Sequence, residues 1–239
     1  MLQQVIQFVT APRYQFAQQT LTTLKLSAVP ILVAIVLGIG VGIIVAQRPI
    51  GAFIAANLSG LARAIPTLAF LAIAEPFLGI GFTPSVVALT ALGIPPILLN
   101  TIAGLRGIDP ATIDAGRGMG MTSMQVLTRI QIPLVLPVVA AGVRTSAVQI
   151  VATVPLAALI GGGGYGDYIT LGLSGEAHQT ELILGALAIA LLALLVELLM
   201  AAAQRAVTPP GLRADMTAPP MDADDTGADT PVHAPVAVS

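Results

Sequence analysis

Three long stretches of this chain carry no charge. Twenty-two uncharged residues separate Lys25 from Arg48, 30 separate Glu75 from Arg106, and 22 separate Arg144 from Asp167. A helix rises ~1.5 Å per residue, so roughly 20 apolar residues cross the ~30 Å hydrocarbon core of a bilayer. Only 9% of the 239 residues are charged and 56% are hydrophobic. Average soluble domains carry about 25% charged residues, and a water-soluble fold with so few would struggle to cover its surface. The expected fold class is all-α, a polytopic membrane protein of about five transmembrane helices. With no cysteine, disulfides, thiolate metal sites and Cys nucleophiles are excluded.

Five segments have the length and apolarity of a span: about 26–46, 52–74 (weakened by Asn57 and Arg63), 84–105, 133–157 and 181–203. The first 24 residues hold six glutamines and lack the basic n-region of a secretory signal. Leu2, Val5, Ile6 and Val9 at helical spacing fit either an interfacial amphipathic helix or a frayed end. With the N-terminus outside, five crossings put Arg48, Arg106, Arg117, Arg129, Arg205 and Arg213 inside and Arg13 and Lys25 outside. The positive-inside rule therefore favours an outer N-terminus and a cytoplasmic C-terminus. The loop at 158–181 is then outside and the polar segment 106–132 inside. The expected organisation is an outer or interfacial segment 1–25, a membrane domain 26–205 containing a polar segment 109–132, and a tail 206–239. That tail is rich in Pro, Ala, Asp and Thr and too poor in bulky aliphatics to fold, so it is expected to be a disordered cytoplasmic appendage dispensable beyond residue 214.

Energy-transducing and catalytic motifs are missing. No G-x-x-x-x-G-K-[ST] occurs, and GGGGYG at 161–166 lacks the Lys and hydroxyl residue that hold phosphate and Mg²⁺. No H-E-x-x-H, G-x-S-x-G or His/Cys cluster is present, and His178 is a lone loop histidine. The chain is expected to be no enzyme and to need no cofactor, metal or nucleic acid. If it moves a solute uphill, another protein or an ion gradient must supply the energy.

The polar stretch DAGRGMGMTSMQVLTRIQIPLVLP, residues 114–137, interrupts the oily chain at its centre. Asp109 suits an N-cap and Pro110 the first helical position, predicting a helix over about 110–118 that closes near Gly118 or Gly120. Thr122 and Gln125 have capping-box spacing and predict a second short helix, with Pro133 beginning the fourth span. Met124, Leu127 and Ile130 give that helix an apolar stripe. Such a helix–turn–helix suits docking into a partner's groove.

This stretch resembles the signature of ABC-importer permease subunits: E-A-A, three residues, G, nine residues, then I-x-L-P. Asp114, Ala115 and Gly116 stand at E-A-A, Gly120 at the glycine, and Ile130-Gln131-Ile132-Pro133 at the end. Asp replaces Glu, Gly replaces the third Ala and Ile replaces Leu. ARAIPTLAF at 62–70, FLGIGFTPS at 77–85, AGVRTSAV at 141–148 and AALIGGGGYGDYI at 157–169 extend the likeness to the osmoprotectant branch (glycine betaine, carnitine, choline, proline). Methionine-importer permeases share much of the pattern.

The resemblance implies a pathway subunit in the inner or plasma membrane of a prokaryote. It implies a cytoplasmic P-loop ATPase dimer, a second permease of the same or related sequence, and an extracytoplasmic substrate-binding protein. The helix–turn–helix would sit in a cleft of the ATPase, making Asp114, Ala115, Gly116, Arg117, Gly120, Ile130 and Pro133 the coupling residues. Arg117 and Arg129 would either pair with acidic groups of the ATPase or serve as positive-inside anchors.

Arg63 and Arg144 lie within predicted spans, where each charge costs roughly 2.5–3.5 kcal/mol on insertion scales. Arg144 and Glu197 are expected at similar depth, either as a packing pair or facing the pathway or a partner; Arg63, just before Pro66, fits either role. Prolines interrupt every span but the last, and Gly38, Gly40 and Gly42 permit close helix contact. Aromatic cages usually hold quaternary ammonium ligands, but this chain has no Trp and nine scattered aromatics. Specificity would then reside in the binding protein. A stand-alone secondary transporter and a membrane scaffold are the alternatives from other classes, and the central signature argues against both.

Overall fold

The computed structural model describes residues 15–174 and 179–208. The expected interfacial helix near the N-terminus, Arg13, Glu176, His178, Arg213 and the tail from 209 lie outside the described residues. The chain divides after Val207 into two units, and the first contains every element below.

The elements are α1 (Phe16–Ala46), α2 (Pro49–Ala64), α3 (Thr67–Leu78), α4 (Phe82–Arg106), α5 (Pro110–Gly118) and α6 (Ser123–Val126). A π-helical turn (Leu127–Gln131) joins α6 to α7 (Ile132–Thr153). A 3₁₀ segment (Val154–Ile160), α8 (Gly166–Leu173) and α9 (Gln179–Val207) follow. No strand occurs among the described residues. Four helical stretches have the length and apolarity of a span, and the α2–α3 pair makes a fifth if counted as one.

Two expectations are corrected. The second span is no single helix over 52–74: α2 and α3 meet at 94°. Pro66 has no N–H for the helical ladder and pushes Ile65 into an extended conformation (φ −73°, ψ 122°), which ends α2. The first helix starts ten residues before the predicted Leu26, at Phe16. Its polar first turns are stabilised by tertiary hydrogen bonds that hydropathy does not register.

Helices α1, α4 and α7 form the core. Cβ atoms placed on Gly38 and Gly42 would fall 2.8 Å from Ile97 Cβ and 2.7 Å from Thr101 Cβ, and one on Gly93 would fall 3.2 Å from Ala34 Cβ. These contacts advance in the same direction along both helices, so α1 and α4 run parallel. The bent pair α2–α3 must therefore carry the chain back across before α4 begins. Gly40 faces open space, so only two of the three glycines serve the contact. Helix α7 packs on α4 in the opposite sense. Gly104 lies against Val135, Gly142 against Asn100, and Ser146 Oγ donates to the Gly93 carbonyl at 2.7 Å. Leu26, Leu89, Ile97, Ile150 and Val154 are fully buried in the centre. Small residues bring these backbones close where lipid offers no hydrophobic drive to association.

Candidate coupling site

Between α4 and α7 the chain builds the polar helix–turn–helix. Asp109 Oδ1 accepts from the Ala111 N–H at 2.9 Å, and Pro110 follows at the start of α5. Helix α5 closes in a Schellman arrangement: Met121 N–H donates to the Gly116 carbonyl and Gly120 N–H to the Arg117 carbonyl. Gly120 supplies the left-handed residue (φ +81°) this closure needs. Two residues on, Thr122 begins a complete capping box. Thr122 N–H donates to Gln125 Oε1 at 2.8 Å, and Gln125 N–H to Thr122 Oγ1 at 3.3 Å.

Gly116 locks the two helices together. It is the buried residue of α5, and a Cβ there would fall 2.6 Å from Ile130 Cδ1. Val126, 3% exposed, packs beneath the same backbone. Two signature positions fourteen residues apart are thereby in contact. Asp114, Ala115, Arg117 and Gly120 are exposed, and so is Pro133 where α7 begins. Arg117 Nη1 lies 4.0 Å from Asp114 Oδ1 across one helical turn, with both side chains mostly in solvent. Such a pair contributes roughly 0–1 kcal/mol and leaves both charges available to a partner. Arg129 is exposed on the π turn.

The expected apolar stripe is split. Ile130 turns in toward Gly116, whereas Met124 is exposed, as is Met119 at the end of α5. Met119 is absent from the sequence-derived candidates; a large apolar side chain within a turn of polar and glycine residues is the signal for it. The π turn ends two residues before Pro133, which has no N–H for the carbonyl of Arg129, so the ladder is already interrupted there. It keeps α6 and α7 in one helical column.

Arg144 and Glu197 are brought together. Arg144 Nε donates to Glu197 Oε1 at 2.9 Å, Nη2 also donates to that oxygen, and Nη1 donates to Gln204 Oε1 at 3.3 Å. Arg63 is exposed in the last turn of α2, two residues before Ile65 and Pro66 at the bend; it is not brought to the Arg144 pair.

The GGGGYG loop serves structure. Gly161, Gly163 and Gly164 adopt positive φ. Gln19 Oε1 accepts from Gly164 N–H, Thr23 Oγ1 accepts from Tyr165 N–H, and Gln19 Nε2 donates to Asp167 Oδ2. These bonds fasten the loop to the first turns of α1. Phe16, Tyr165 and Tyr168 stack in sequence beside it. Burial, with Tyr165 and Asp167 nearby, pushes the Tyr168 phenol up to about 12, so it stays protonated at neutral pH.

Residues 22–209 match the family model described as binding-protein-dependent transport system inner membrane component. The chain is 32% identical over 210 residues to the choline transport system permease protein OpuBB of Bacillus subtilis, covering 87% of this chain and 96% of that protein. It is 36% identical to the carnitine transport permease protein OpuCB of Listeria monocytogenes, covering 87% and 95%. Among solved structures it resembles an inward-facing MetNI methionine ABC transporter chain, with a TM-score of 0.72 and 23% identity over 84% of this chain and all of that one. The several apolar helices are those of a multi-pass membrane protein, and the chain belongs to the binding-protein-dependent transport system inner membrane component family.

Proposed function

We propose that this chain is the membrane pathway subunit of an ATP-driven importer for osmoprotectants such as glycine betaine, choline, carnitine or proline. The observation that carries this reading is the α5–α6 unit, with its two caps, its glycine closure and the Gly116–Ile130 lock. A lever must stay stiff and must be joined to what it moves. The caps and the lock supply the stiffness, and the π turn joins the lever to α7. Helix α7 packs closely on α4 through Gly142 and Gly104, so displacement of the lever reaches the core of the bundle.

In this reading the α5–α6 face is cytoplasmic and sits in a P-loop ATPase. Arg117 and Met119 offer a charged and an apolar contact. The N-terminus lies outside, where a solute-binding protein delivers cargo, and a second permease completes the path. ATP hydrolysis belongs to the partner. The substrate class rests on relatives above 30% identity named for choline and carnitine transport. A methionine-type cargo has weaker support, because the likeness to that transporter is 23% in sequence.

Purification in mild detergent from cells co-expressing the proposed P-loop ATPase partner tests the docking. The native chain is expected to retain that ATPase, and the Gly120→Val variant to lose it. Equal retention by both would contradict the assignment of α5–α6 as the docking unit.

A further inference from the structure

A narrow apolar groove of ≈ 160 Å³ runs along α7 where it packs beside α1 and α4. Leu105 and Leu127 stand at one end of it, and Ile39 and Val139 at the other. Leu127 and Val139 are twelve residues apart in one helical column, ~18 Å along the axis. One leaflet of a ~30 Å hydrocarbon core is about that deep. The one hydroxyl in the wall, on Thr101, donates to the Ile97 carbonyl at 2.8 Å. The side chains that line the groove therefore offer nothing to hold a water.

The groove opens sideways. Ile132 and Leu136 on its lip are 43% and 39% exposed, and the neighbouring α1 surface carries Val36 and Ile44 at 70% each. That surface matches hydrocarbon. A void beside it would forfeit dispersion contacts of the side chains that line it, so a flexible apolar chain suits the space.

Cations gather at the end marked by Leu105 and Leu127. Arg106 is the residue after Leu105, and Arg129 lies two beyond Leu127. Arg48 is the N-cap of α2, five residues beyond the groove-lining Ile43. All three are exposed, and none has an ion pair or side-chain hydrogen bond among the described residues. The carboxylates of this segment are engaged elsewhere: Asp109 accepts from Ala111 N–H, and Asp114 lies 4.0 Å from Arg117. A guanidinium on its long stem reaches the membrane surface, and its planar fork matches phosphate.

We propose that the groove and its arginines bind one anionic phospholipid. An acyl chain lies in the groove, the phosphate rests on Arg106 and Arg129, and Arg48 adds to the field. Bulk lipid tails offer the acyl chain similar surroundings, so the groove fixes its position and the arginines supply the selectivity. The chain lies against Leu127 and braces the joint between α6 and α7. Only the choice of leaflet, the cytoplasmic one, rests on the pathway-subunit reading above.

The full chain in mild detergent is offered equal amounts of dioleoyl phosphatidylglycerol and dioleoyl phosphatidylcholine, and the lipid retained per chain is counted by native mass spectrometry. The expected result is one phosphatidylglycerol per chain, preferred by about fivefold or more, since each basic residue at a membrane surface contributes about that factor. The double variant R106Q/R129Q is expected to lose the preference, and Arg63→Gln, at the far end of α2, to keep it. Val139→Phe fills the groove from within. Leu136→Trp fills it from the exposed lip, where folding is not at stake, and is expected to cut retention about fivefold. Equal retention of the two lipids by the native chain, an undiminished preference in R106Q/R129Q, or undiminished retention by Leu136→Trp would overturn the proposal. ATP-driven uptake by the native chain with its proposed partners is measured in parallel. Absent uptake alongside selective retention would count against the pathway-subunit reading and leave this site standing. Normal uptake alongside unselective retention would overturn this inference alone.

Discussion

Gly116 and Ile130 sit so close that a Cβ on the glycine would fall 2.6 Å from Ile130 Cδ1. They occupy the third and seventeenth positions of the signature that begins at Asp114, and their contact closes the α5–α6 unit. Because Cδ1 is the far end of a flexible side chain, Gly116→Ala is expected to be tolerated. Gly116→Leu is expected to overpack the unit by ~1–3 kcal/mol. ATP-driven uptake, normalised to inserted protein, should stay near the native value for the first and fall sharply for the second. Equal uptake by the two variants would show that the lock is not needed for coupling.

Gly120 separates conformation from packing. Its φ is +81° and nothing lies within 4 Å of a Cβ placed there, so any penalty comes from the backbone alone. A β-branched residue in the left-handed region costs roughly 1–2 kcal/mol, whereas Asn tolerates it. Gly120→Val should insert and abolish ATP-driven uptake, while Gly120→Asn should retain most of it. Matching losses for Val and Asn would point to a lost contact instead of a lost conformation.

Much of this unit is legible in the sequence because caps are local. Asp109, Thr122 and Gln125 act within three residues of themselves, so their spacing suffices. The spans are legible because uncharged runs of 22 or more residues have few other uses. The early start of α1 is not legible: Gln19 and Thr23 are polar, and their partners Gly164, Tyr165 and Asp167 lie more than 140 residues away. The 94° bend at Pro66 is hidden for a related reason. A proline allows a kink, and its angle is set by the α4 and 3₁₀ surfaces against which α3 packs. The inward turn of Ile130 depends on Gly116, a contact that helical periodicity does not encode.

Gly38 and Gly40 make a matched pair on α1. A Cβ on Gly38 meets Ile97 Cβ at 2.8 Å, whereas Gly40 has open space. Gly38→Leu must push α1 away from α4, and the expected penalty is ~1–3 kcal/mol or more. Gly40→Leu should leave the thermal midpoint in detergent within a degree or two of native, with surface substitutions usually within ~0.5 kcal/mol. A similar drop for both would contradict the parallel α1–α4 contact.

Arg144 and Glu197 are expected to be energetically coupled. Arg144→Met leaves the carboxylate without its guanidinium, and Glu197→Met does the reverse. The double variant removes both charges. Because the pair is partly exposed, solvent screens it and the coupling should be modest. A thermal-denaturation cycle should find the double variant more stable than the sum of the single losses. Strict additivity would show that the contact contributes nothing to holding α7 on α9.

The central claim is that this chain opens a path without powering it. The direct measurement is uptake of radiolabelled glycine betaine into proteoliposomes containing the chain alone, or the chain with its P-loop ATPase and solute-binding protein, each with and without ATP. The expected result is concentrative uptake only when the ATPase, the binding protein and ATP are all present. Concentrative uptake by the chain alone, unchanged by ATP, would contradict the account.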